Sequence, residues 1–144
     1  MRQPRDTPSA VSADDAQAST GRVRVLVLED NTESRLLLSH LLRKEFDATL
    51  AGGVDETLEA AAANTFDVAL LDINLGESRT GIDVLEAIRA MPQHRTLPAL
   101  ACTAYALPGD REDFLDAGFE GYVSKPFVRD DLFDALRSVA SLRA

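Results

Sequence analysis

Five apolar runs recur along the chain: VRVLVL (23–28), DATLAG (47–52), DVALLD (67–72), LPALACTA (97–104) and GYVS (121–124). They are largely continuous rather than alternating, the pattern of strands covered on both faces by helices. Between them the spacing becomes helical. Residues 32–45 carry Leu37, Leu38, Leu41 and Leu42 at core spacing, with Asn31 or Thr32 placed to cap the start. Residues 55–63 open on Asp55 and are rich in alanine. Residues 81–91 carry Val84, Leu85, Ile88 and Met91 and stop at Pro92, and residues 109–117 end at Gly118. Residues 129–142 begin with Asp130 and Asp131 and place Leu132, Leu136, Val139 and Ala140 on one stripe. Strand and helix thus alternate five times. The pattern predicts an α/β fold, a doubly wound five-stranded parallel sheet with right-handed crossovers and five helices.

The first 21 residues depart from this pattern. They contain no aromatic residue, no Leu and no Ile. Such a segment cannot bury enough surface to offset its ordering entropy, so residues 1–21 read as a disordered tail or linker and residues 22–144 as one folded domain. The 24 acidic and 15 basic side chains give a net charge of -9. That balance argues against nonspecific nucleic-acid binding and against anionic membrane surfaces. Cys102 is the single cysteine, so no intrachain disulfide can form, and its apolar neighbours predict a buried thiol. No apolar stretch approaches the roughly 20 residues that span a bilayer. No apolar segment follows the N-terminal arginines, so no secretory signal is read and a cytoplasmic location is expected.

In an open parallel sheet, ligands bind beyond the carboxyl ends of the strands. The polar residues there are Glu29 and Asp30 after the first run, Asp72 closing the third, Thr103 in the fourth and Lys125 after the fifth. Singly each has an ordinary explanation, as a helix cap, a strand-end threonine or a solvated charge. Together they bring three carboxylates, a hydroxyl and an ammonium to one edge. Carboxylates so placed repel unless a cation sits among them, and hard oxygen ligands suit Mg2+. Aspartate can serve as a phosphoryl-accepting nucleophile, and phosphoryl transfer needs chiefly positioning and charge neutralisation.

The order Glu29-Asp30, Asp72, Thr103, Lys125-Pro126 lies within VLVLEDN (25–31), LLDINLG (70–76), ACTAYAL (101–107) and DAGFEGYVSKPF (116–127). These motifs resemble the receiver domain of bacterial two-component response regulators, over residues 23–142. They are also similar to the receivers of hybrid histidine kinases, so a stand-alone regulator and a piece of a longer chain both remain open. The resemblance implies a flavodoxin-like fold with strand order 2-1-3-4-5. It implies Asp72 as phospho-acceptor, and Mg2+ bound by Glu29, Asp30, Asp72 and the backbone carbonyl of Asn74. It further implies Thr103 as switch hydroxyl, Lys125 as partner of the phosphoryl group, Tyr122 as the switch aromatic, and a cis bond before Pro126. The implied donor is a sensor histidine kinase or histidine phosphotransfer protein. The implied readout is the surface of the fourth helix, fifth strand and fifth helix, in a monomer or weak dimer with no output domain in this chain. The chain would be no enzyme beyond slow self-catalysed phosphorylation and dephosphorylation.

Three features depart from the usual pattern. Gly76 stands where the family often has proline, the loop from there to Gly81 is slightly long, and Tyr105 is aromatic at a variable position. Two other functions compete. A constitutive interaction module would usually have lost some of the five site residues. An aspartate-nucleophile phosphatase wants a second Asp two positions after the nucleophile, where this chain has Asn74. His40 and His94 have no partner at catalytic or metal spacing and read as structural or exposed. A phosphate-cradling glycine loop and a nucleophile elbow are both absent from the sequence.

Overall fold

The computed structural model describes residues 21–104 and 109–143. Its strands are β1 (Val23–Leu28), β2 (Phe46–Ala51), β3 (Val68–Asp72), β4 (Ala99–Thr103) and β5 (Gly121–Ser124). Its α-helices are α1 (Thr32–Leu42), α2 (Val54–Ala63), α3 (Gly81–Arg89), α4 (Asp110–Asp116) and α5 (Arg129–Ala140). The strands form one parallel sheet in the order β2-β1-β3-β4-β5, which is the 2-1-3-4-5 order expected. The winding reverses between β1 and β3, the place at the carboxyl ends of the strands where sheets of this kind bind ligands.

Side chains alternate across each strand, so the inner strands β1, β3 and β4 feed two cores. Val25, Val27, Val68, Leu70, Leu100 and Cys102 face Leu38 and Leu42 of α1 and Leu132, Phe133 and Leu136 of α5. Leu26, Leu28, Ala69, Leu71, Ala99 and Ala101 face Ala61 of α2, Leu85 and Ile88 of α3 and Phe114 of α4. This two-sided burial is why the runs are continuous. Cys102 is buried as expected, and burial pushes its thiol pKa up.

Several boundaries differ from the sequence reading. Helix α1 stops at Leu42, because Phe46 already enters β2 and packs edge-on against Phe133 at 5.0 Å between centroids. Leu37 is 43% exposed and Leu36 67%. Leucines at 36, 37, 38, 41 and 42 cannot all face one sheet when successive residues turn by about 100°. Helix α3 ends at Arg89, and Pro92–His94 forms a 3-10 turn. The fourth strand starts only at Ala99, after Pro98, although Leu97 is still buried. His40 is exposed, whereas His94 is buried. Residues 1–20, which hold nearly all of the expected tail, and Tyr105 lie outside the described residues.

Three arginines tie the covering helices down. Glu45, just before β2, pairs with Arg129 and Arg137 of α5. Their guanidinium groups also lie over the Phe133 ring, 4.4 and 5.5 Å from its centroid. On the other face, Arg89 donates to the carbonyls of Leu97 and Gly118 and pairs with Glu120.

Candidate functional site

The fold delivers the predicted residues to one edge. Glu29 follows β1, Asp72 closes β3 and Thr103 closes β4, and all three are at most 2% exposed. Asp30 is exposed, while Lys125 follows β5 and is half-buried. The parallel register sets their depth. Leu28 lies opposite Leu71, Asp72 opposite Cys102 and Thr103 opposite Ser124. The Lys125 N–H donates to the Thr103 carbonyl at 2.8 Å, which holds the lysine beside β4. The bond from Lys125 to Pro126 is cis, as the resemblance implied.

Lys125 Nζ lies 3.2 Å from Asp72 Oδ2 and 2.7 Å from Glu29 Oε1. Glu29 Oε1 is buried and has no well-aligned hydrogen-bond donor, so its contact with the ammonium is an ion contact. Glu29, Asp30 and Asp72 each offer a carboxylate oxygen within 4.8 Å of the others. Backbone N–H groups hold the acids in place. Asn31 donates to Glu29 Oε2 at 3.0 Å, Asn74 to Asp72 Oδ1 at 3.2 Å, and Gly76 to Asp30 Oδ2 at 3.2 Å. Tyr122 is half-buried, its ring centroid 5.9 Å from that of Phe114.

Three acids against one ammonium leave an excess of negative charge in a poorly hydrated place. Burial, reinforced by the charge of Glu29, pushes the Asp72 pKa from 3.8 up to about 7; Lys125 opposes the shift without cancelling it. Burial also disfavours the Lys125 ammonium, but Glu29 and Asp72 outweigh it and hold the lysine pKa above its ordinary value. A further cation would relieve this imbalance. The donor set is all oxygen, close-spaced and under-neutralised, which fits a small hard divalent ion such as Mg2+.

Three contributors escaped the sequence reading. Arg35 Nη1 donates to the Glu29 carbonyl at 2.9 Å and crosses Gly52, where a Cβ would sit 2.8 Å from that nitrogen. Gly81 lets α3 begin against the acceptor strand, since a Cβ there would lie 2.4 Å from the Asp72 carbonyl oxygen. The third is the Gly76 N–H. Glycine at a loop end hints at a close approach, but a backbone donor carries no signature in the sequence.

The model of the response regulator receiver domain family matches residues 25–137, and the chain belongs to that family. It is 32% identical over 123 residues to hybrid signal transduction histidine kinase I of Dictyostelium discoideum, covering 80% of this chain and 7% of that protein. It is 31% identical over 113 residues to the histidine-protein kinase BarA of Shigella flexneri, covering 78% of this chain and 12% of that one. The chain therefore spans only a small part of these relatives. Among solved structures, the receiver domain of the sensor histidine kinase PA1611 from Pseudomonas aeruginosa is 31% identical with a TM-score of 0.74, over 83% of this chain and 98% of that one. That structure holds a magnesium ion in its active-site cleft. The chemotaxis regulator CheY4 of Vibrio cholerae superposes with a TM-score of 0.76 at 28% identity, over 82% of this chain and 98% of that one. No helix among the described residues is long and apolar enough to cross a membrane.

Proposed function

We propose that the domain is a phosphoryl-accepting switch whose acceptor is Asp72 and whose donor is the phosphohistidine of a sensor histidine kinase or histidine phosphotransfer protein. The observation that carries this reading is the buried Asp72 carboxylate, 3.2 Å from Lys125 and grouped with Glu29 and Asp30 at the strand-order reversal. An ionised Asp72 oxygen attacks phosphorus, the bond from phosphorus to the imidazole nitrogen breaks, and its electron pair stays on that nitrogen. Glu29, Asp30, Asp72 and the backbone carbonyl of Asn74 would hold Mg2+, which supplies positive charge against the phosphoryl oxygens when bound.

Lys125 then exchanges its contact with Asp72 Oδ2 for a phosphoryl oxygen. The Thr103 hydroxyl donates to another. The modification adds a charge of about −2 near neutral pH. The Tyr122 ring follows Thr103 inward and alters the surface of α4, β5 and α5, a shift between two populated states. A groove of about 280 Å³ on that surface, lined by Tyr122, Pro126, Val128 and Ala135, would change shape with the ring.

The test is incubation with Mg2+ and acetyl phosphate, read by intact mass. One phosphoryl adduct is expected on the wild type, with none when Mg2+ is withheld and none on Asp72→Asn. Equal labelling of Asp72→Asn would overturn the acceptor assignment. If acetyl phosphate and beryllofluoride both leave the wild type unchanged, the constitutive interaction module becomes the better reading.

A further inference from the structure

The loop between β3 and α3 is held at two places. Its far end is fixed by Arg79, which pairs with Asp55 at the start of α2 and with Glu77 in the loop, both at 3.0 Å. Thr80 and Asp83 then close a reciprocal cap at the start of α3. Its near end touches the site, where the Gly76 N–H donates to Asp30 Oδ2. Asp30 is the exposed member of the acid cluster, and this is its one side-chain hydrogen bond among the described residues. Glu29 and Asp72 are buried and oriented by Lys125 and by N–H groups close in sequence; Asp30 is oriented from 46 positions away.

We infer that the Gly76 N–H is a positioning group for the metal site: it fixes the Asp30 carboxylate by one oxygen and leaves the other oxygen set toward a divalent cation. This rests on the reading that Glu29, Asp30 and Asp72 bind Mg2+. Hydrogen bonds to ligating carboxylates commonly alter metal affinity by about 10–100-fold when lost. Only the donor matters in this role, not the absence of a side chain. A Cβ at position 76 would stand 3.9 Å from Asp30 Oδ2, an ordinary contact, and the Gly76 backbone is not left-handed. Alanine therefore keeps the bond, whereas proline has no N–H to give.

The experiment is a calorimetric Mg2+ titration of the wild type, Gly76→Ala and Gly76→Pro near neutral pH. Gly76→Ala should bind within about twofold of the wild type, and Gly76→Pro about tenfold more weakly. If melting shows that proline disturbs the fold, glycolic acid in place of Gly76 makes a backbone ester that removes the donor alone, and the same loss is expected. Wild-type affinity in the donor-free variants, or tighter binding, would overturn the inference. So would an equal loss in Gly76→Ala, which would assign the effect to loop shape. A wild type that binds no Mg2+ would bring down the metal reading itself, an outcome distinct from any difference among the variants.

Discussion

At the amino ends of the strands, His94 is fully buried and stacks on Phe66 with ring centroids 6.0 Å apart. Its Nε2 lies 3.0 Å from the carbonyls of both Ala61 and Asn64, so that nitrogen carries the proton and ties the end of α2 to the turn before β4. At the carboxyl ends, Glu29 and Asp72 are buried just as deeply, yet share one ammonium and leave Glu29 Oε1 without an aligned donor. Both regions bury ionisable side chains inside one small fold. In the first, one ring nitrogen bridges two carbonyls, the ring stacks on Phe66 and Nδ1 alone lacks a partner, and the result is an anchor. In the second, the neighbours leave charge over, and the remainder is what a cation and a phosphoryl group can act upon.

The contrast can be broken most sharply at the histidine. His94→Ala should cost about 3 kcal/mol of stability through the lost packing and the stranded carbonyls, while Mg2+ affinity stays at the wild-type value. Urea unfolding and calorimetry check the two halves, and a loss of Mg2+ affinity would show the two ends to be coupled. Next comes Lys125→Ala, which leaves two buried acids with no cation. It should destabilise the metal-free domain by about 2 kcal/mol at pH 8 and by less at pH 5, where Asp72 takes up a proton. Equal losses at both pH values would contradict the charge imbalance.

Mg2+ binding should weaken about tenfold for each pH unit below about 7, where a proton and the cation compete for Asp72, and level off above. A flat profile between pH 5 and 8 would mean that Asp72 does not titrate there. The smallest effect runs toward stability. Asp72 has a folded pKa above its unfolded value, so the folded state holds the extra proton between pH 3.8 and about 7 and stability falls as pH rises through that window. Asp72→Asn removes this cost but also gives up the ion contact with Lys125, so only a fraction of it is recovered. Without metal it should melt about 4 °C above the wild type at pH 8, with no such gain near pH 4.

Much of this contrast is legible in the sequence, for a reason that applies to some residues and not others. Strands covered on both faces must be apolar throughout, so a charged residue ending such a run marks where the strand leaves the core. That signal placed Glu29, Asp72 and Lys125, whereas the strand order was implied by the family resemblance alone. It failed where composition exceeds geometry, as at Leu37, a leucine on a helix already supplied with enough of them. For His94 it left structural and exposed readings side by side, because a lone histidine before Pro98 gives no hint of two carbonyls arriving from α2. It could not reveal the Gly76 donor, because every residue but proline carries the same N–H.

The register of the sheet has a mechanical consequence. Strand β3, which ends in Asp72, is paired on both sides, so it cannot yield without disturbing β1 and β4 together. The two borders differ in stiffness. Strand β2 is matched to β1 through six residue pairs, and the residue before it is clasped by Arg129 and Arg137. Strand β5, which like β2 has a single neighbour, has only four pairs. On the proposed function, a load applied at Asp72 would meet least resistance at the less-paired border, beside Tyr122.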